Sequence, residues 1–236
     1  MPTKTLIIAS IAAGVIVAGI AAALVMLSGN AAPATDKSHD SQNDQILKQL
    51  KSPSIGNAPA LGSDDAKVTI VEFGDYQCTW CHRWHEGTKG TLMADYVETG
   101  KVRFLFKDFP INDLSDRASS LAAEASYCAA DQGKYWEYHD EVYSNWEGEN
   151  TGWVTRASLE QFAENTGVQD MEKFSDCLDS GRYAGLVGDN YKLARTVGLD
   201  ATPSFIVLID GEDPQLMRGA HPYSTFERVI NDAYAS

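Results

Sequence analysis

The sequence predicts an α/β fold in which a mixed sheet carries a large all-helical insertion, behind an N-terminal transmembrane helix. Three observations predict it. Short runs rich in β-branched residues occur at 67–73 (KVTIVEF), 101–109 (KVRFLFKDF) and 203–209 (PSFIVLI). Apolar stripes of helical period fill about residues 110–198, between the second run and the third. Near the N-terminus, residues 6–27 carry no charge and only Ser10 is clearly polar.

That apolar stretch is long enough to cross about 30 Å of hydrocarbon. It exceeds the ~7–15 apolar residues of a secretory signal. Lys4 and the amino terminus are the positive charges ahead of it, which orients the N-terminus inward. The expectation is a retained anchor over residues 1–29, single-pass in the cell membrane, with the folded domain outside the cytoplasm. The alternative is a secreted protein, because residues 28–34 (SGNAAPA) offer a signal peptidase small residues. Residues 30–55 mix Ala, Pro, Ser, Asp, Asn and Gln and read as a flexible linker. Within it, residues 44–51 (DQILKQLK) have the period of two helical turns, with Ile46, Leu47 and Leu50 on one side. The linker is too short to be a dimerisation domain, and a monomer is expected.

The folded domain is expected over residues 56–236. Its first strand, at 67–73, passes through Gly74 and Asp75 into a helix that starts after Cys78 and runs to about Glu98. Gly87 and Gly90 weaken that helix, so a kink or break is expected between them. The second strand, 101–109, is closed by Pro110. Helical stripes follow through Leu121, Ala125 and Cys128, then Tyr135, Tyr138, His139 and Val142. Further stripes run through Leu159, Phe162 and Ala163, then Phe174, Cys177 and Leu178, then Leu186, Tyr191, Leu193, Ala194 and Val197. Residues 210–214 (DGEDP) turn the third strand into a hairpin ending near Arg218. A last helix is expected from Ser224, with Glu227 completing a capping box and Phe226, Val229 and Ile230 inward. Strand–helix–strand implies a parallel pair, and the hairpin adds antiparallel strands to the same sheet.

The chain has 236 residues, 44% hydrophobic and 10% aromatic, enough for a buried core. Its 33 acidic and 19 basic residues give a net charge of −14. That charge repels nucleic acid and anionic headgroups, so nucleic acid is not an expected partner.

The chemistry concentrates in residues 74–85, GDYQCTWCHRWH. Cys78 sits where strand hands over to helix, beside first-turn amides that lack helical partners and at the positive end of the dipole. Both favour a thiolate, which makes Cys78 the nucleophile. Cys81, one turn later, is placed to resolve by attacking back. A metal reading competes, since Cys78, Cys81, His82 and His85 share one helical stripe. Four ligands on one short helix surround an ion poorly, and no second Cys/His pair appears downstream, so no metal is expected. His82 and His85 then read as a solvated face, with His82 tuning the thiols electrostatically.

Glu72 lies inside the apolar first strand. A carboxyl near the sulfurs, its pKa raised by burial, would relay the proton of Cys81. The alternative is a residue on the solvent side of a half-exposed strand. Residues 201–205 (ATPSF) start a strand with proline. A cis bond at Pro203 would present the backbone edge of Thr202 beside the thiols, for pairing with an extended substrate. Cys128 and Cys177 lie on apolar helical stripes. Two buried free thiols are one reading. Outside the cell a structural disulfide is favoured.

The segments VEFGDYQCTWC (71–81), FKDFPI (106–111), CAADQGKYWEYHD (128–140) and ATPSF (201–205), in this order, resemble the DsbA-like disulfide oxidoreductases of the thioredoxin superfamily. The resemblance covers about residues 56–234. It implies a thioredoxin fold with Cys78 as nucleophile, Cys81 as resolving thiol, Glu72 as buried acid and Pro203 in the cis-proline loop. The dipeptide Thr79–Trp80 departs from the Pro-His of the strongest oxidants, and Ala201 stands where glycine is common. Thr79 and Trp80 are therefore expected to tune the pair. The implied activity is a thiol:disulfide oxidoreductase that introduces disulfides into exported proteins bearing cysteine thiols. No cofactor is implied, and a redox partner must recycle the pair. A reductase or isomerase on the same fold is the alternative, and a metal-binding chaperone a third.

Overall fold

Burial on both faces shapes the central strand. All seven residues of β1 (Val68–Gly74) are buried, which explains its unbroken apolar run around Glu72. β1 pairs in parallel with β2 (Val102–Asp108), in a register from Val68 opposite Val102 to Gly74 opposite Asp108. On its other side β1 pairs antiparallel with β3 (Ser204–Ile209), and β3 with the short β4 (Gln215–Arg218). The sheet order is therefore β2–β1–β3–β4, the mixed sheet expected from the order of elements. Gly211, in the hairpin turn, has φ +84°, a conformation that favours glycine.

The computed structural model describes residues 37–56, 58 and 60–235. The anchor or signal expected over residues 1–29 lies outside the described residues. Among the described residues no helix is long and apolar enough to cross a membrane.

The linker expected over residues 30–55 needs correction where it is described. Helix α1 (Lys37–Lys51) carries the periodicity seen in residues 44–51 and extends it. Its Leu50 is buried, and Ile46 and Leu47 pack with it on the sheet face formed by Val71, Phe73, Leu105, Ile206 and Leu208. A polar composition hid a helix that is stabilised by docking three apolar side chains rather than by its own propensity.

The opposite sheet face, Val68, Ile70, Val102, Phe104, Phe205 and Val207, is covered by α2 and the terminal helix. Helix α2 occupies residues 79–97. It alternates α turns (Thr79–Trp84, Gly90–Leu92) with wider π turns (His85–Lys89, Met93–Val97). No break occurs between Gly87 and Gly90: Gly90 has helical φ −57° and ψ −46°, and the run widens into a π turn there. The terminal helix α8 (Tyr223–Ala235) starts one residue before the expected Ser224, so Ser224 lies inside its first turn.

Between β2 and β3 come α3 (Ala118–Ala130), α4 (Tyr135–Ser144), α5 (Arg156–Asn165), α6 (Met171–Asp179) and α7 (Ala184–Thr196). The first four expected stripes face one core containing Ala122, Ala125, Tyr138, Val142, Leu159, Phe162, Phe174 and Leu178. The same core includes Tyr76, Cys78 and Cys81, so the insertion packs directly on the start of α2. The fifth stripe does not face it: its Leu193, Ala194 and Val197 pack instead with α1 on the sheet face, and its Tyr191 is exposed. Helix α5 is started by Thr155, whose side chain accepts the Ser158 N–H while Ser158 returns a bond to the Thr155 N–H.

Cys128 on α3 and Cys177 on α6 are bonded, with Cα atoms 5.8 Å apart and the two residues separated by 49 in sequence. A loop of that length constrains the unfolded chain by about 4 kcal/mol in the chain-entropy model. Replacing both cysteines with serine should therefore lower the unfolding free energy by roughly 3–4 kcal/mol. Urea unfolding of the double variant checks this, and a loss under 1 kcal/mol would show that the bond adds little to α3–α6 packing.

Candidate active site

The site begins where β1 ends. A Cβ on Gly74 would lie 2.4 Å from Cε2 of Phe106, so glycine leaves room for that ring against the end of β1. Asp75 then fixes the turn. Its carboxylate accepts the N–H of Gln77 (2.9 Å) and of Asn112 (2.8 Å). Its carbonyl accepts the N–H of Cys78 (3.0 Å) and the hydroxyl of Tyr143 (3.3 Å). The strand end, the segment after β2 and the insertion thus meet on one residue. Burial pushes the Asp75 carboxyl up to about 7.

Cys78 occupies the N-cap position of α2 in an extended conformation (φ −67°, ψ 124°). Its S–H donates to the Thr202 carbonyl at 3.4 Å. The Thr202–Pro203 peptide bond is cis, and Thr202 borders the sulfur. The Cys78 thiol is lowered from 9.0 to about 6. The largest cause is the hydrogen bond from the Cys81 thiol, which outweighs the opposing desolvation. Thr202 lowers it further, as do the amides of Cys81 and Trp80. Cys81 is fully buried, and desolvation pushes its thiol well above the ordinary range. Both cysteines are free, buried thiols: Cys78 keeps 5% exposure beside the Thr202 edge and Cys81 keeps none.

Glu72 lies on the α2 side of β1, in period with Val68 and Ile70. It is 2% exposed, so the solvent-facing alternative is excluded. Desolvation raises its carboxyl from 4.5 to about 8, the Lys89 ammonium opposes the shift, and Cys78 adds to it. Lys89 is itself buried and ion-paired to Asp140, with its Nζ 3.3 Å from Nε2 of His85. Asp140 is half exposed. Lys89 therefore stands between the buried acid, whose charged form it favours, and the half-exposed Asp140.

His82 and His85 do not form the solvated face expected of them. Nδ1 of His82 lies 3.1 Å from the Tyr143 carbonyl, and its ring stacks on Trp146 with centroids 4.5 Å apart. Nε2 of His85 lies 3.1 Å from Asp140 Oδ1. The Cys78–Cys81–His82–His85 stripe thus divides among separate partners. Among the described residues, the possible metal ligands that gather are His85, His139 and Asp140. The positive charge at that place is the chain's own Lys89. Trp80 is 56% exposed, and the Arg83 guanidinium lies 4.7 Å from its ring centroid.

Sequence reasoning passed over Asp75, Lys89, Asp140, Tyr143 and Glu149. Lys89 carried a signal, since it falls on the helical stripe of Cys78, Cys81 and His85. Glu149 carried none: it lies in the loop between α4 and α5, yet accepts the Thr79 N–H (3.1 Å) and hydroxyl (3.2 Å).

An acid-shifted thiol over a sealed one, beside a cis-proline edge on a mixed sheet, defines a thiol:disulfide oxidoreductase with a helical insertion. The comparisons make the family definite. A family model described as thioredoxin matches residues 54–232. Disulfide bond formation protein D of Bacillus subtilis (strain 168) is 30% identical over 165 residues, covering 70% of this chain and 72% of that protein. The crystal structure of oxidised BdbD from Bacillus subtilis is similar with a TM-score of 0.68 at 27% identity, covering 78% and 96% of the two chains. Wolbachia pipientis alpha-DsbA1 shares the fold with a TM-score of 0.65 at 21% identity, covering 77% and 92%. The chain belongs to the thioredoxin family and is a DsbA-like oxidoreductase.

Glu72 offers a test of this electrostatics. An acid whose folded pKa is raised binds its proton more tightly when folded, so its burial costs stability as pH rises from about 4.5 to about 8. Glu72→Gln removes that cost. Chemical unfolding of the reduced proteins should find the variant close to wild type at pH 4 and clearly more stable at pH 8.5. A gap that does not change with pH would place the Glu72 charge in water.

Proposed function

We propose that this protein is a disulfide-introducing oxidase, tethered to the cell membrane by residues 1–29, that acts outside the cytoplasm on exported proteins bearing cysteine thiols. The observation that carries the reading is the contrast between the two sulfurs. Cys78 is acid-shifted and borders the Thr202 edge, whereas Cys81 lies beneath it, fully buried. The name of the Bacillus subtilis relative, a disulfide bond formation protein, supports the same direction.

In this reading the oxidised enzyme holds a Cys78–Cys81 disulfide. A substrate thiolate attacks Cys78 Sγ, forming a mixed disulfide and releasing Cys81 as thiolate, which takes the proton of Glu72. A second substrate thiolate attacks the substrate sulfur of that mixed disulfide and expels Cys78 as a thiolate. The substrate dithiol becomes a disulfide, two electrons pass to the enzyme pair, and a recycling partner must remove them. Thr202 and Pro203 present the backbone edge that pairs with the substrate, and exposed Trp80 offers it an apolar surface. Thr79, Trp80 and His82 tune the pair, and the Cys128–Cys177 bond is structural. The protein works as a monomer without a cofactor.

Expelling Cys78 is favourable because its thiolate is stabilised in the fold. A thiol lowered from 9.0 to about 6 contributes stability that is full above the unfolded value and is lost as pH falls through the folded one. The oxidised form lacks that contribution, so the reduced protein should be the more stable near pH 7, by about 1 kcal/mol. Denaturant unfolding of both redox forms, with Cys128–Cys177 left bonded, tests the order, and the gap should close below pH 6. A domain more stable when oxidised at pH 7 would assign a reductase. Independently, Cys81→Ser should accumulate mixed disulfides with peptide thiols and Cys78→Ser should not; equal trapping by both would overturn the division of roles.

A further inference from the structure

The loop between α4 and α5 does more at the active site than cover it. Trp146 donates from Nε1 to the carbonyl of Gln77, the residue before the nucleophile, at 2.9 Å, and its ring stacks on His82. Trp153 donates to the Gly148 carbonyl at 2.8 Å, closing the loop on itself. Between these two anchors Glu149, exposed to solvent, places Oε2 on both the N–H and the hydroxyl of Thr79. The first turn of α2 is therefore divided between two acidic groups. The Thr79 amide serves the Glu149 carboxylate, while the amides of Trp80 and Cys81 serve the Cys78 sulfur.

We propose that Glu149 is a positioning residue for the disulfide exchange, through which the helical insertion restrains the Cys78 thiolate by holding a second negative charge on the same helix start. Two anions at one N-terminus repel each other and compete for the same dipole. Restraint of the thiolate makes the oxidant milder, because the more stable the leaving Cys78 thiolate, the more strongly the disulfide draws electrons. The inference rests on the proposed role of Cys78 as nucleophile.

Of the insertion's carboxylates near the site, Asp140 is taken up by Lys89 and His85, whereas Glu149 is bonded to the first turn of α2. From β1 and its turn come Glu72 and Asp75, both pushed up by burial. From α2 itself come Cys81, whose thiol donates to Cys78, then His82, turned to the Tyr143 carbonyl, and Arg83, turned to the Trp80 ring. The cis-proline loop adds the uncharged Thr202. Tyr143, on α4, is bonded to the Asp75 carbonyl and is held neutral by desolvation.

The test is the pH dependence of Cys78 alkylation in the reduced protein, read by peptide mass, for wild type, Glu149→Gln and Glu149→Ala. Glutamine keeps an acceptor for the Thr79 amide and removes the charge, whereas alanine also frees that amide. The alkylation midpoint should fall by roughly 0.5 pH unit in the glutamine variant at low salt and by at least as much in the alanine variant. In 1 M salt, where the screening length is about 3 Å, the glutamine shift should shrink. The equilibrium with glutathione should move the same way, towards a more oxidising pair. Midpoints unchanged within about 0.1 pH unit, or raised, in both variants would overturn the proposal while leaving the nucleophile assignment intact. A wild-type midpoint near 9.0, the ordinary value, would instead overturn the assignment of Cys78 itself.

Discussion

Asp75 is the residue on which the site is hung. Its carboxylate gathers the N–H groups of Gln77 and Asn112, and its carbonyl gathers Cys78 and Tyr143. Each partner comes from a different stretch: the turn itself, the segment after β2, the start of α2, and α4 of the insertion. Leaving any of these buried donors unpaired would cost about 1–3 kcal/mol. The geometry of the turn is therefore fixed from several sides at once, and with it the position of Cys78 at the head of α2.

That closure also removes water, and the consequences differ from group to group. Desolvation penalises the charged form wherever nothing replaces the lost hydration. Glu72 and Cys81, both sealed, are pushed up for this reason. Cys78 lies in the same wall and moves the other way, because the Cys81 thiol, Thr202 and the amides of Cys81 and Trp80 favour its charged form. One buried environment thus yields a poised nucleophile and an acid that still holds its proton at neutral pH. Lys89 tempers the acid, and Asp140 and His85 connect Lys89 to the surface.

The insertion contributes in two ways that its helical pattern does not suggest. Its core is continuous with the underside of the active-site turn through Tyr76, Cys78 and Cys81, so disturbing the α3–α6 packing is felt at the thiols. Its loop reaches the first turn of α2 through Trp146 and Glu149. The sheet supplies the rigid frame, and the insertion supplies much of the chemistry around the nucleophile.

Much of this was legible in one dimension. Period and β-propensity placed the three buried runs, which became β1, β2 and β3, and the helical stripes, because burial of one face repeats at fixed spacing along a strand or helix. The cysteine spacing, the acid within an apolar strand and the proline heading β3 marked the reacting residues, because each is costly where packing alone would decide. The tertiary structure alone decided the rest. Docking of Leu50, Ile46 and Leu47 made a helix of a stretch that reads as linker. Continued packing against the sheet carried α2 through Gly87 in a π turn and on into the α turn at Gly90. The pairings Lys89–Asp140 and Thr79–Glu149 join residues 51 and 70 positions apart. No local period encodes such contacts; they exist only because the fold brings a helix and a distant loop together where a buried charge or an unpaired amide requires a partner.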